Sequence, residues 1–124
     1  MKYVMEKENT KNFGFNVDFG TFQNVFESDF RLPGMPEDGG PCSRPEDIIP
    51  ILPYVYCCHA KFNYMDEHFE EKTIPYAEVI EILKEHQWDG YLVSEYEGAD
   101  KDKQGFVSDQ LRRQHIMMKR IIGD

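Results

Sequence analysis

A chain of 124 residues with a formal net charge of −9 and a pI near 4.9 is poorly suited to nucleic acid or to an anionic membrane, since both demand basic patches that neutralise phosphate. Hydrophobic residues make up 40% of the sequence and fall in short runs, none approaching the roughly 20 apolar residues of a membrane span. Residues 1–9 lack the apolar stretch that follows a signal peptide's basic start, so the expectation is a single acidic domain over 1–124, cytoplasmic, without nucleic-acid or membrane partners.

The first readable element is Gly14-Phe15-Asn16-Val17-Asp18, a strand with Phe15 and Val17 on one face and Asn16 and Asp18 on the other. Phe19 to Gln23 opens a helix or loop, and the run from Leu32 to Pro41, with its prolines and glycines, predicts a long irregular loop. Ser43 is a candidate N-cap for a short helix carrying Ile48, Ile49, Ile51 and Leu52, limited in length by Pro50 and Pro53. A second strand runs from Tyr54 to Phe62, and strict alternation puts Val55, Cys57, His59 and Lys61 on one face. A polar loop from Asn63 to Lys72 leads to a helix marked by Ile74, Ala77, Ile80, Ile82 and Leu83, with Pro75 near its first turn and Gln87 to Gly90 ending it. Tyr91 to Tyr96 is the third strand, with Tyr91, Val93 and Glu95 on one side. The segment from Val107 to Ile122 is a closing helix whose Leu111, His115, Met118 and Ile122 share a face, and Arg112, Arg113, Lys119 and Arg120 favour its dipole. Strands alternating with helices predict an α/β fold with a parallel sheet.

Three cysteines, Cys42, Cys57 and Cys58, close no disulfide framework. Reduced thiols follow, and a zinc or redox centre on Cys57, Cys58 and His59 lacks the usual spacing of paired thiolates. Asp18, His59 and Glu95 fall at the carboxyl ends of successive strands, where loops of a parallel α/β sheet line a pocket. A carboxylate, an imidazole and a second carboxylate suit a divalent cation such as Mn²⁺, Mg²⁺, Co²⁺ or Zn²⁺. Taken singly, Asp18 also reads as a turn residue, His59 as a core histidine and Glu95 as a solvated edge carboxylate. Together they are costly to bring close without a cation.

The segments Gly14-Phe15-Asn16-Val17-Asp18, Cys58-His59-Ala60-Lys61 and Gly90-Tyr91-Leu92-Val93-Ser94-Glu95-Tyr96-Glu97-Gly98 resemble the sixth, seventh and eighth strands of the xylose isomerase-like TIM barrels, a superfamily that includes sugar phosphate isomerases and epimerases. The resemblance implies a partial (β/α) barrel of about three parallel strands, since a complete barrel needs about 250 residues. It also implies a metal site made by Asp18, His59 and Glu95, with a fourth ligand, a glutamate of the fifth strand, outside these residues. His59-Ala60-Lys61-Phe62 and Ser94-Glu95-Tyr96-Glu97-Gly98 look especially like the branch that includes C-glycoside deglycosidase subunits. Thr21 stands where some epimerases carry a second histidine, a departure from the epimerase pattern.

Under this resemblance the reaction is isomerisation or epimerisation of a sugar or sugar phosphate through an enediolate. Glu95 serves as base and Lys61 binds a substrate hydroxyl or phosphate. Three strands leave two open sheet edges, which predicts a homo-oligomer or a partner chain that completes the barrel. The alternatives are a non-catalytic association module that uses those edges, a subunit of a split barrel, and a C-glycoside deglycosidase-like subunit.

Overall fold

Period-2 patterning at three places in the chain produces three strands, and the computed structural model, which describes residues 14–23 and 43–123, pairs them in one sheet. The strands are β1 (Phe15–Asp18), β2 (Val55–Phe62) and β3 (Tyr91–Tyr96), in spatial order β1-β2-β3 with both pairings parallel. The architecture is the α/β arrangement expected from the alternating elements. The loop expected from Leu32 to Pro41, the N-terminal nine residues and Cys42 lie outside the described residues.

Between β1 and β2 runs a 3-10 helix over Phe19–Phe22 and a second over Pro45–Tyr54. The second differs from the expected short helix in form and in cap. Pro50 and Pro53 supply no N–H, so the i→i−4 ladder is interrupted and the tighter turn carries the segment. Arg44, not Ser43, precedes its first turn: the Arg44 N–H donates to the Asp47 carboxylate at 2.9 Å, and the Asp47 N–H donates to the Arg44 carbonyl at 2.9 Å. Ser43 instead accepts a hydrogen bond from the Thr21 hydroxyl at 3.1 Å.

Helix α1 (Tyr76–Glu85) follows β2, and α2 (Phe106–Ile122) follows β3. Their inner faces, together with Ile48 and Leu52, cover one face of the sheet, where Val17, Cys58, Ala60 and Phe62 are buried. The buried stripe of α2 is Gln110, Gln114, Met117 and Met118; of the expected Leu111, His115, Met118 and Ile122, Met118 is in it and Leu111 and Ile122 pack at its edge. The glutamines reach the core because each binds strand or loop backbone. Gln114 Nε2 donates to the Ala60 carbonyl at 2.7 Å, while Gln110 accepts from Met65 N at 2.7 Å and donates to Met65 O at 3.1 Å. Gln110 is thereby satisfied at both ends, whereas Gln114 bonds only through Nε2, which also donates to the Tyr76 hydroxyl at 2.9 Å, and its Oε1 is buried without a hydrogen bond.

A register shift separates the pairs Phe15↔Val55 and Asn16↔Cys57, leaving Tyr56 as the extra residue of a bulge. The bulge corrects the alternation at its start: Val55 is turned into the core and is 3% exposed, whereas Cys57, His59 and Lys61 stay on the opposite face. Among the described residues no helix packs on that opposite face.

Candidate functional site

Register determines which side chains meet on the open face. Asp18 pairs with His59 across β1 and β2, His59 with Val93 and Lys61 with Glu95 across β2 and β3. Paired residues project to the same side, so Asn16, Asp18, Cys57, His59, Lys61, Tyr91, Val93 and Glu95 form one surface. The charged members stand at its carboxyl end, with Tyr91 and Val93 78% and 46% exposed.

Two contacts organise the charged end, and both run diagonally, one strand over and one step forward. Lys61 Nζ lies 2.9 Å from Asp18 Oδ2, and His59 Nδ1 lies 3.3 Å from Glu95 Oε2. Asp18 is occupied at both oxygens, because Oδ1 also accepts from Gly20 N at 2.8 Å as the cap of the first 3-10 helix. Lys61 is further drawn toward Glu97 Oε1 at 3.9 Å, and Glu97 in turn lies 3.5 Å from Lys101 Nζ. Partial burial alone lowers the affinity of Lys61 for its proton, but Asp18, Glu95 and Glu97 outweigh it and hold its pKa above the ordinary lysine value. Gly20 leaves room for the lysine stem, since a Cβ there would lie 2.9 Å from Lys61 Cδ.

The His59–Glu95 contact is different in kind. Glu95 Oε2 is inaccessible and carries no hydrogen bond, although His59 Nδ1 is only 3.3 Å away, so the approach lacks hydrogen-bond direction. A separation of roughly 3.0–3.4 Å is what two ligands of one cation show, each about 2.1 Å from it at an angle near 90–110°. As a pair, His59 and Glu95 have the spacing of cation ligands. Asp18 does not join them, and among the described residues no group of three or more His, Cys, Asp or Glu side chains is placed to hold a metal ion. The expected trio of Asp18, His59 and Glu95 is therefore on one face but not on one centre in this conformation.

Lys61 projects from the same face as His59, as expected, and its ammonium is held by Asp18. Cys58 is fully buried on the opposite face, where burial first and then the neighbouring Cys57 push its thiol up to about 12. With His59 and Cys58 on opposite faces, Cys57, Cys58 and His59 do not converge. Thr21 and Ser43 line an open cleft of ≈ 300 Å³ beside β1, together with Asn16, Asp18 and Asp47.

Sequence reasoning missed the support beneath the site. Glu71, 8% exposed, accepts from Asn63 N at 2.8 Å and Tyr64 N at 3.2 Å through one oxygen, and from the Thr73 N–H and hydroxyl through the other. Asn63 Nδ2 then donates to Thr73 Oγ1 at 3.0 Å and to Gln23 Oε1 at 3.2 Å. Gly98, after β3, abuts the Asn63 carbonyl so closely that an added Cβ would lie 1.9 Å from it. The loops after all three strands are thus joined at Asn63. A run of polar residues reads as loop, and only the partners disclose a network.

Fold and site together define a class: a parallel α/β sheet with carboxylate, imidazole and ammonium groups at the carboxyl ends of its strands. No protein-family model matches the chain. Similarity is found to the 3'-dehydrocarminate deglycosidase alpha subunit of Microbacterium sp, with 35% identity over 81 residues, or 65% of this chain and 23% of that protein. The C-glycoside deglycosidase alpha subunit of Arthrobacter globiformis is 32% identical over 81 residues, covering 63% of this chain and 23% of that protein. That of Microbacterium trichothecenolyticum is 37% identical over 56 residues, covering 45% and 15%. The chain spans less than a quarter of the length of the curated relatives it matches. Among the described residues no helix is long and apolar enough to cross a membrane.

Proposed function

We propose that this chain contributes the carboxyl-end face of β1, β2 and β3 to a sugar-acting assembly of the C-glycoside deglycosidase type, in which His59 and Glu95 move a proton on a keto-sugar. The observation that carries the reading is the half-exposed Glu95 carboxylate set beside the half-exposed His59 ring, with Oε2 turned to Nδ1 at 3.3 Å, a carboxylate and an imidazole side by side on an open face. The names of the relatives, alpha subunits of deglycosidases and one of them acting on a 3'-dehydro compound, support this chemistry over sugar isomerisation.

A ketone at C3' of a glycoside acidifies the hydrogen at C2'. Removal of that proton by Glu95 places its electron pair between C2' and C1', and the bond from C1' to the aglycone carbon breaks. The departing carbon takes up a proton in return, and His59 is positioned to relay it. The isomerisation implied by the superfamily resemblance begins with the same abstraction of a proton beside a carbonyl, and differs in what leaves. Lys61, held by Asp18 at 2.9 Å, offers its remaining N–H donors on this face to a substrate hydroxyl.

The chain acts as a subunit in this reading. The charged face, β1 and β3 have no covering element among the described residues, and Tyr91 at 78% exposure is an apolar surface suited to burial against another polypeptide. A non-catalytic association role shares that surface but requires no proton chemistry. The two separate in deuterium oxide: with a 3'-oxo C-glycoside, the assembled protein exchanges the C2' hydrogen, followed by NMR, and releases aglycone. His59→Ala and Glu95→Gln each lower both rates by about 10²–10⁴-fold. Exchange that persists unchanged in both variants rules out the assigned roles.

A further inference from the structure

Helices α1 and α2 lie side by side on the covered face of the sheet, and the side chains they turn away from it share one spacing. On α1 the residues Tyr76, Val79, Ile80 and Leu83 are buried, and Glu78, Ile82 and Glu85 fall toward the outer side. On α2 the residues Gln110, Gln114, Met117 and Met118 are buried, and Arg112, Ile116 and Lys119 fall on the outer side. Each triplet takes the first, fifth and eighth places of an eight-residue run, an arc of roughly 60° on the helix surface, with the end members roughly 10 Å apart along the axis. One stripe reads acid, isoleucine, acid, and the other base, isoleucine, base. All four charged members are exposed, Ile116 is 36% exposed, and Ile82 is only partly buried. Among the described residues Glu78, Glu85 and Lys119 form no ion pair, while Arg112 is held by Asp109 of its own helix.

We propose that these stripes dock copies of this chain head to tail, α1 of one copy against α2 of the next, with Glu78 facing Lys119 of the second copy, Ile82 beside its Ile116, and Glu85 facing its Arg112. The two stripes of one copy cannot meet, because both helices follow strands of a parallel sheet, run the same way and turn these side chains outward. Stacking like helices is disfavoured as well, since it sets acid against acid or base against base. Antiparallel docking also brings the N-terminal end of α1 to the C-terminal end of α2, where the helix dipoles are of opposite sign. The net charge of −9 keeps copies apart at a distance, and the α2 stripe reverses that repulsion locally. Each copy offers one stripe to each of two neighbours, so the contact does not close as a two-fold dimer. One helix pair is small beside the roughly 1,200 Å² of a stable interface, and association is therefore weak and concentration-dependent. The contact lies on the opposite face of the sheet from His59 and Glu95 and is independent of their chemistry.

Sedimentation velocity over a concentration series of the purified full chain tests the contact by charge exchange. Glu78→Lys with Glu85→Lys sets base against base, and Arg112→Glu with Lys119→Glu sets acid against acid, so each double variant lowers the association constant about tenfold or more. An equimolar mixture of the two double variants restores association, because each altered stripe complements the other, and a merely structural effect of the substitutions would not produce that recovery. Association unchanged in either variant, a mixture that sediments as its separate components, or an unsubstituted protein that stays monomeric up to about 0.5 mM overturns the proposal. If circular dichroism shows that a variant does not fold, carbodiimide coupling of the unsubstituted protein, mixed from heavy-nitrogen and ordinary preparations, decides the matter alone. Peptide mass spectrometry is expected to find Lys119 joined to Glu78 with one peptide heavy and the other light. Coupling only between peptides of the same isotope, or no coupling of this pair, overturns the contact and leaves the roles of His59 and Glu95 untouched.

Discussion

Replacing Glu71 tests whether the site depends on the network beneath it. The carboxylate takes four donors, three of them backbone N–H groups of Asn63, Tyr64 and Thr73 and one the Thr73 hydroxyl, in a position only 8% exposed. In Glu71→Ala these donors lose their acceptor together, and a buried donor without a partner costs about 1–3 kcal/mol. Water entering the vacated space recovers part of this, so about 3–5 kcal/mol is expected. Against a total stability of roughly 5–15 kcal/mol for a domain of ordinary size, that is a large fraction. Glu71→Gln keeps one acceptor and turns an amide N–H₂ toward the two donors of the other oxygen, for a loss of about 2–4 kcal/mol. Urea denaturation followed by circular dichroism measures both. The order Ala worse than Gln, each well above 1 kcal/mol, is expected. A loss below about 1 kcal/mol in Glu71→Ala would refute the claim that this carboxylate organises the loop after β2.

Asp66 accepts from His68 N and Glu70 N, both at 2.9 Å, and lies 3.4 Å from Lys72 Nζ; burial alone would raise its pKa, but these contacts outweigh it and hold the carboxyl below its ordinary value. Its contribution is present above the unfolded carboxyl range near pH 4 and is lost as pH falls through the depressed value, so Asp66→Asn is less stable by about 1 kcal/mol at pH 7 and equal to the unsubstituted protein near pH 2 in denaturation curves. Gln87 has φ 55° just after α1, where Trp88 N and Gln87 N donate to the Leu83 and Lys84 carbonyls; Gln87→Gly relieves the left-handed backbone and raises unfolding free energy by about 0.5 kcal/mol. Cys57 is half-buried and Cys58 is enclosed with its thiol pushed up to about 12, so an aromatic disulfide reagent followed by peptide mapping labels Cys57 in the folded protein and Cys58 only on unfolding.

How far the chain could be read in advance follows from which physical signal each feature leaves. The strands around Val17, Cys58 to Phe62 and Leu92 carry a period-2 pattern, and the pattern survives in the structure because one face is buried under helices. That same alternation was enough to put Asp18, His59, Lys61 and Glu95 on a common face. It failed at Tyr56, since a bulge depends on the partner strand's register and leaves no mark in a single strand's sequence. It also failed for α2, where Gln110 and Gln114 occupy core positions that a hydropathy pattern assigns to apolar residues. The diagonal Lys61–Asp18 contact was illegible for a related reason: each residue is correctly placed by its own strand, but which of two neighbours a flexible side chain chooses is a matter of rotamer and charge.

The strength of the charged face is tied to what covers it. As described, the side chains of His59 and Glu95 are 41% and 35% exposed, and a pair of charges about 4 Å apart interacts with only about 1 kcal/mol in water, rising to about 4 kcal/mol at the effective dielectric of a protein surface. The contact between them is therefore weak while the face is open. A second polypeptide laid across Tyr91 and Val93, the apolar neighbours of the charged end, excludes water from the same surface and strengthens every contact on it at once. The reach of that effect differs between the two pairs. Lys61 Nζ and Asp18 Oδ2 already lie 2.9 Å apart, whereas His59 Nδ1 and Glu95 Oε2, at 3.3 Å without a hydrogen bond, have room to tighten.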